Sequence, residues 1–208
     1  MKINVFVSRS MGENCYAVSL NDSVFLVDPG EFAPELEHFL TENGQKVKYI
    51  LLTHCHFDHI GYLDRAAKLC PDAKIVISKE EEAALNNPQI NLCNLFAGEN
   101  VIKKSDVTVK DGDILPFGEK DIKVIATPGH TEGSVCYLLD DNLFCGDTLF
   151  KESYGRTDLP TGDVYKLISS LKKLSHLDEK IAIYPGHGES STIRREKLYN
   201  PGMREFNI

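Results

Sequence analysis

The sequence lacks the features that mark membrane-spanning, exported and nucleic-acid-binding proteins. No apolar run in its 208 residues approaches the ~20 residues needed to cross a bilayer. The first residues show neither the apolar core nor the cleavage site of a signal peptide. No basic run occurs, and a net charge of −8 argues against a nucleic-acid partner. We therefore expect a cytoplasmic protein that binds neither membranes nor nucleic acids.

Two further absences narrow the chemistry and the architecture. The six cysteines are scattered without a C-x-x-C pair, so reduced thiols are expected rather than a disulfide framework. No G-x-S-x-G motif occurs, which argues against a serine hydrolase. No linker, repeat or low-complexity segment interrupts the chain. Residues 1–208 are therefore expected to form a single domain with a substantial core.

What the sequence does contain is a dense group of metal-binding side chains directly after the apolar run 49–52. Side chains two residues apart on an extended segment point the same way, so His54 and His56 can bind one metal ion together. Asp58 and His59 follow where the chain is expected to turn into a helix, and they can reach a second position. Neutral imidazole and carboxylate groups suit zinc, iron or manganese.

Three more candidate ligands occur in a shared setting. His130, Asp147 and His187 each follow an apolar, strand-like run and a glycine. Glycine lets the backbone turn tightly or approach another segment closely, so each side chain is expected on a loop at a strand end. The two remaining histidines, His38 and His176, lie in a helix-like run and a loop, and we expect structural or surface roles for them.

Periodicity indicates runs of strands with helices interspersed, which predicts two sheets covered by helices. Strands are predicted at 3–7, 14–20, 23–27, 48–53, 74–78, 107–109, 122–126, 134–139, 142–145 and 181–184. Helices are predicted at 34–43 (ended by Gly44 as a C-cap), 60–69, 80–86, 162–174 (with Thr161 or Asp163 as N-cap) and 192–199. Residues 87–104 show no clear period, and three interpretations stay open: they cap a substrate cleft, line a dimer contact or cover the core.

Several motifs together carry a resemblance that extends over essentially the whole chain. They read T-H-C-H-F-D-H-I-G, T-P-G-H-T, G-D-T-L-F, G-R-T-D-L-P-T-G-D and Y-P-G-H-G. In these stretches the chain resembles the metallo-β-lactamase fold superfamily, and within it the glyoxalase II-like hydrolases. The resemblance implies an α+β fold, an αββα four-layer sandwich, with a dinuclear metal site at one edge of the two sheets.

The resemblance also implies two metal positions joined by one bridging carboxylate. The ligands would be His54, His56 and His130 for the first metal, Asp58, His59 and His187 for the second, and Asp147 as the bridge. Catalytic roles would fall on His54, His56, Asp58 and Asp147. Two divalent ions are expected as cofactors, with zinc first and iron or manganese as alternatives. Since all seven positions are filled, the single-iron persulfide dioxygenases of the superfamily fit less well, and His56 in place of a glutamate argues against its diiron flavoproteins.

The implied activity is hydrolysis of a thioester or ester by attack of a metal-bridging hydroxide. A hydroxyacyl thioester such as S-lactoylglutathione is the leading small-molecule substrate. A lactonase or other carboxylic-ester hydrolase is the alternative, and a persulfide dioxygenase is a third. Longer glyoxalase II proteins add a C-terminal helical domain that helps to grip glutathione, and the 21 residues after His187 leave no room for it. Monomer and homodimer both remain open.

Arg156 and Tyr154, which come later in the chain than Asp147, are candidates for substrate binding. Arg156 can hold a substrate carboxylate, or it can pair with Asp158 to stabilise its loop, and Tyr154 is the second candidate. Two cysteines near the predicted ligands are expected to take no part: Cys55 should point away from the metals on its extended segment, and Cys145 should be buried as a small apolar residue.

Overall fold

Two six-stranded β-sheets form the centre of the molecule, in a computed structural model that describes residues 1–95 and 104–204. Strands β1 to β3 form an antiparallel meander, and β3 to β6 run parallel. In the order in which they lie in the first sheet, the strands are β1 (Lys2–Val7), β2 (Asn14–Leu20), β3 (Ser23–Val27), β4 (Val47–Leu51), β5 (Lys74–Ser78) and β6 (Val107–Val109).

The second sheet begins with another antiparallel meander, made of β7 (Ile114–Phe117), β8 (Lys120–Ala126), β9 (Val135–Leu139) and β10 (Asn142–Gly146). The chain then forms a small separate ribbon, β11 (Leu149–Phe150) and β12 (Ser153–Tyr154). It returns as β13 (Ala182–Pro185), which is parallel to β10, and β14 (Ser191–Thr192), which is antiparallel to β13.

Five α-helices accompany the sheets in the described part of the chain: α1 (Pro34–Asn43), α2 (Phe57–Ile60), α3 (Leu63–Leu69), α4 (Val164–Ser175) and α5 (Ile193–Tyr199). Short 3₁₀ turns occur at Gly44–Lys46, Ala84–Asn86 and Cys93–Leu95. None of these described helices has the length and apolar character required to cross a membrane.

The layers follow from the alternation of side chains along the strands. On β2, Val18 enters the cluster between the two sheets, whereas its neighbour Ala17 packs on the other face with Leu36 of α1. On the far side of the second sheet, Ile183 packs with Leu167 of α4. The order is therefore helices, sheet, sheet, helices, which confirms the predicted α+β class and the αββα sandwich.

Helix α4 shows why one of the ligand loops needs its glycine. Of the two predicted N-cap residues, Asp163 is the one observed. Its side chain accepts hydrogen bonds from the N–H groups of Tyr165 and Lys166. The helix packs so closely on the preceding loop that a Cβ at Gly129 would lie 2.3 Å from the backbone nitrogen of Leu167. Gly129 also has a φ of +139°, a conformation that L-residues avoid.

Several predicted elements differ from those observed. The predicted helix 60–69 is divided into α2 and α3, and the predicted helix 80–86 is reduced to the 3₁₀ turn Ala84–Asn86. Gly44 ends α1 in a right-handed conformation, because the chain continues into a 3₁₀ turn rather than a left-handed cap. Strands β7, β11, β12 and β14 are additional. Each spans only two to four residues, too short for an alternation pattern to stand out.

The aromatic contact between the two sheets gives a test of the architecture. Phe144 of β10 packs against Tyr16, Phe25 and Tyr184, with ring centroids 5.4, 5.7 and 5.1 Å away. Phe144→Ala should lower the free energy of unfolding by about 3–5 kcal/mol, because a fully buried ring is lost and a cavity remains. Urea denaturation measures this. The matched control Phe32→Ala, with a side chain 54% exposed, should cost no more than about 1 kcal/mol. Equal losses in the two variants would contradict this packing.

Candidate metal centre

The predicted ligands converge where the carboxyl ends of strands from both sheets meet. His54 and His56 follow β4, His130 follows β8, and Asp147 and His187 follow β10 and β13. The neighbouring parallel pairs, β3–β4 and β10–β13, bring the ends of their strands to the same edge. Loops at this edge are held by the sandwich, so their side chains occupy defined positions.

Three groups of three side chains form there among the described residues, each with its ligand atoms within 4.8 Å of one another. The first contains His54, His56 and His130, the second contains Asp58, His59 and His187, and the third joins Asp28 to one histidine of each, His54 and His59. Within the first group, His56 Nδ1 lies 2.8 Å from His130 Nε2. Within the second, His187 Nε2 lies 3.3 Å from Asp58 Oδ2. The structure therefore brings together the same triads that the resemblance implied.

Asp147 lies between the two triads. Its Oδ1 is 3.3 Å from His59 Nε2, and its Oδ2 is 3.7 Å from both His130 Nε2 and His187 Nε2. This close approach depends on Gly186, where a Cβ would lie 2.2 Å from Asp147 Oδ1 and 2.6 Å from His59 Cε1. Asp147 thus faces both triads at once.

Asp28 supports the centre from behind and was not identified from the sequence, where Asp28-Pro29-Gly30 was interpreted only as a turn. Its carboxylate accepts hydrogen bonds from the Thr53 N–H at 2.7 Å and the Thr53 hydroxyl at 2.6 Å. It also lies 3.0 Å from His59 Nδ1, which directs His59 Nε2 towards Asp147. A signal was present, since Asp28 follows an apolar strand in the same way as Asp147 does.

Burial and charge set the protonation states of the ligands. Burial, together with the charge of neighbouring imidazoles such as His59, holds the pKa of His54 well below its ordinary value. Burial and the nearby His130 lower the pKa of His56 to about 3. Burial alone would also lower the pKa of His59, but the carboxylates of Asp147 and Asp58 outweigh it and raise that pKa. His54 and His56 are therefore neutral imidazoles at neutral pH, the form that binds metals.

The buried polar atoms of the centre show what kind of ligand it fits. Among the described residues, His54 Nε2, His56 Nε2, His59 Nε2 and Asp147 Oδ1 are buried without a hydrogen bond of good geometry, although the last two atoms lie 3.3 Å apart. Leaving such an atom unpaired costs about 1–3 kcal/mol, and four of them face one small region. Divalent cations satisfy imidazole nitrogen and carboxylate oxygen at once. The donor set therefore fits two metal ions, and it does not discriminate between zinc, iron and manganese.

A cavity of about 370 Å³ opens directly onto these residues, within the size range of small-molecule sites. The ligands that reach its surface are His56, Asp58, His130, Asp147 and His187. Leu92 and Leu95 also line it, which favours the interpretation that the 87–104 stretch caps a cleft. Residues 96–103 of that stretch lie outside the described residues.

The two candidate substrate-binding residues have different positions. Arg156 lines the cavity, and its Nε and Nη2 donate to the two carboxylate oxygens of Asp158 at 2.6 and 2.7 Å. The pairing alternative is thus the one observed, and the Arg156 carbonyl also lies 2.8 Å from His130 Nδ1. Tyr154 is not among the residues that line the cavity, and its ring lies against Gly202 instead. Its position gives no support to substrate binding.

Both cysteine predictions near the ligands are confirmed. The Cys55 thiol points away from the centre and lies 3.3 Å from the Glu81 carbonyl oxygen. Cys145 is fully buried, with its thiol 3.1 Å from the Leu149 carbonyl oxygen. Burial raises the pKa of both thiols well above the ordinary value, so neither forms a reactive thiolate.

Removal of one ligand from the second triad tests the division into two positions. Asp58→Asn should lower the metal content from two ions per chain to about one, because a charged ligand disappears. The metal affinity of the second position should fall at least ~100-fold. Metal analysis and chelator competition measure this, with circular dichroism as a check on the fold. Asp64→Asn is the matched control, since the Asp64 carboxylate pairs with the exposed Lys68 on the surface of α3. Two ions retained at unchanged affinity in Asp58→Asn would contradict the assignment.

Known proteins resemble this chain over most of its length. Residues 10–187 match the model of the metallo-β-lactamase superfamily. A probable metallo-hydrolase of Streptococcus pyogenes is 34% identical, over 97% of this chain and 90% of its own length. A hydroxyacylglutathione hydrolase of Francisella philomiragia is 33% identical, over 88% of this chain and 65% of its own. The B3 metallo-β-lactamase BLEG-1 is 32% identical in sequence. Its crystal structure superposes on 97% of this chain and 99% of its own chain, with a TM-score of 0.89. This chain belongs to the metallo-β-lactamase superfamily.

Proposed function

We propose that the protein is a dinuclear metal-dependent hydrolase of thioesters or esters, with hydroxyacyl thioesters as the leading substrate class. The observation that carries the proposal is the position of Asp147 between two complete triads, next to a cavity of substrate size. The similarity to a hydroxyacylglutathione hydrolase supports the choice of substrate.

The seven proposed ligands have different roles in the reaction. When two divalent ions are bound, they lower the pKa of a water molecule from ~15.7 to about 7 and polarise a carbonyl oxygen. His54, His56 and His130 offer imidazole nitrogens from one side of Asp147. Asp58 lines the cavity beside His187, and its carboxylate is ionised: burial would raise its pKa, but the charge of His59 and the hydrogen bond from His187 outweigh that effect. Asp58 is thereby suited to accept a hydrogen bond from water and orient it towards the substrate.

The residues around the cavity favour a thioester over an amide. In the described part of its lining, every histidine and aspartate is a proposed metal ligand, and there is no lysine, tyrosine or glutamate. An amine leaving group needs a proton from such an acid. A thiolate leaves unaided near neutral pH, because the pKa of a thiol is about 8.5. Hydrolysis of a thioester is therefore the reaction that this set of side chains catalyses most readily, with an activated ester or lactone next.

The finer features remain proposals. We expect zinc at both positions, with iron or manganese as alternatives, since imidazole and carboxylate ligands accept all three. A cytoplasmic location, a single domain over residues 1–208 and a monomeric or homodimeric state are proposed on the sequence alone.

A substrate panel tests the proposed function. Zinc-loaded protein should hydrolyse S-lactoylglutathione faster than a homoserine lactone, and the lactone faster than a cephalosporin, in the order of leaving-group ability. Spectrophotometric kcat/KM values measure this, and Asp58→Asn should reduce the thioester rate at least ~100-fold. A preference for the lactone would make the protein an ester hydrolase instead. Oxygen uptake with glutathione persulfide by protein holding one iron would overturn the hydrolase assignment.

A further inference from the structure

We propose that the preferred substrate carries an apolar group, such as a short acyl or alkyl chain, rather than a highly charged thiol such as glutathione. This inference rests on the proposed hydrolysis and identifies the substrate class. The cavity rim is apolar and comes from four separate stretches of chain: Met11, Phe57, Leu92, Leu95 and Leu159.

The apolar rim is built into the fold. Leu92 has a φ of +67°, which is unfavourable for a leucine and persists only where the surroundings impose it. The buried side chain of Asn91 imposes it: its Nδ2 donates to the carbonyl oxygens of Ala84 and Leu85, and its Oδ1 accepts from the Cys93 N–H. The Asn91 carbonyl oxygen also accepts from the Phe57 N–H at 2.8 Å. Two parts of the rim are therefore joined beside the ligand Asp58.

Part of this apolar surface is exposed to solvent. Leu95 is 67% exposed and Met11 is 40% exposed, although both belong to the rim of the cavity. Apolar side chains held at the mouth of a site stabilise a bound apolar group by removing it from water, and one methylene is worth about fourfold in affinity. Exposed apolar side chains clustered around a reactive centre are typical of ligand-binding surfaces.

The charges around the cavity disfavour glutathione. Arg156 is the one lysine or arginine in the described lining, and both carboxylate oxygens of Asp158 already bind its guanidinium. Glutathione carries two carboxylates, which need cationic or hydrogen-bonding partners when they leave water. A cavity of about 370 Å³ has room for roughly a dozen water-sized groups, since one water molecule occupies ~30 Å³ in the liquid. This space is enough for a short acyl or alkyl chain beside the reacting bond.

Uncleavable ligands test the apolar site independently of the reaction. We would measure the affinity of zinc-loaded protein for S-methyl, S-butyl and S-hexyl N-acetylcysteamine by calorimetry. Affinity should rise about two- to fourfold per added methylene. Leu95→Ala should reduce the ratio of S-hexyl to S-methyl affinity about three- to tenfold, while Leu198→Ala, the matched control with a leucine 59% exposed on α5, should leave the ratio unchanged.

Turnover then shows which side of the bond carries the apolar group. In one series the acyl chain is lengthened on N-acetylcysteamine, and in the other the thiol chain is lengthened on an acetyl group. In one of them kcat/KM should rise with length and exceed the value for S-lactoylglutathione. Affinity independent of chain length overturns the apolar site, whatever the turnover. Rising affinity without hydrolysis of any thioester, ester or lactone supports the apolar site and overturns the proposed function.

A second inference rests on a different observation, the buried carboxylate of Glu81, which is 3% exposed. Its Oε2 accepts a hydrogen bond from the Cys55 N–H and its Oε1 accepts one from the Gly133 N–H, both at 3.0 Å. Cys55 lies between His54 and His56, and Gly133 lies three residues after His130. One carboxylate thus holds the two loops that carry all three histidines of the first triad.

We infer that Glu81 is a positioning residue for the first metal position. Each oxygen of the Glu81 side chain accepts from one backbone N–H, and loss of either hydrogen bond would leave a buried N–H unpaired. The adjacent Ser78 adds to the connection, because its hydroxyl donates to the Gly133 carbonyl oxygen at 2.6 Å. The separation between His54 and His130 is therefore set by a group that touches neither imidazole.

Metal affinity tests this role directly. Glu81→Gln should weaken zinc binding at the first position about 10–100-fold, because an amide cannot accept from both N–H groups. The second position should change less than about threefold. Stepwise chelator competition measures both, and repetition in Asp58→Asn isolates the first position. Glu80→Gln is the matched control, with an exposed glutamate next in the chain. Unchanged affinity at the first position, or equal loss at both, overturns the role.

Discussion

Unpaired nitrogen and oxygen atoms from several loops face one another where strands of the two sheets end. Such atoms destabilise a protein unless a ligand satisfies them, at about 1–3 kcal/mol each. The rest of the fold must therefore hold them in place. The sandwich does so through its interior, where Phe25 and Phe144 pack across the two sheets with ring centroids 5.7 Å apart. The ligand loops leave from strand ends whose relative position this packing determines.

Buried carboxylates then adjust the loops within that frame. Asp28 connects Thr53 with His59, and so relates the first triad to the second. Glu81 connects the loop of His56 with the loop of His130. Both carboxylates are nearly inaccessible to solvent, so their hydrogen bonds are stronger than surface bonds and their loss is more costly. We therefore expect metal binding at the proposed site to depend on contacts that lie outside the ligand set.

The chemistry and the selectivity of the site have separate structural origins. In the proposed function, Asp147 and the two triads carry the hydrolysis. The rim of the cavity, which includes Leu92 and Leu95, is proposed to select the rest of the substrate. A rim can change without disturbing the ligands, because the sheets hold the ligands and short loop segments hold the rim.

The sequence by itself determined the fold class and the seven candidate ligands, because both depend on residues close together in the chain. Strand periodicity indicates the fold class, and short motifs such as the one from His54 to His59 indicate the ligands. It also placed α1, β2 and β3 at their observed bounds. Tertiary structure alone decided the roles of Asp28 and Glu81 and the position of Tyr154 away from the cavity. These depend on contacts between residues far apart in the chain, and no local spacing encodes such contacts.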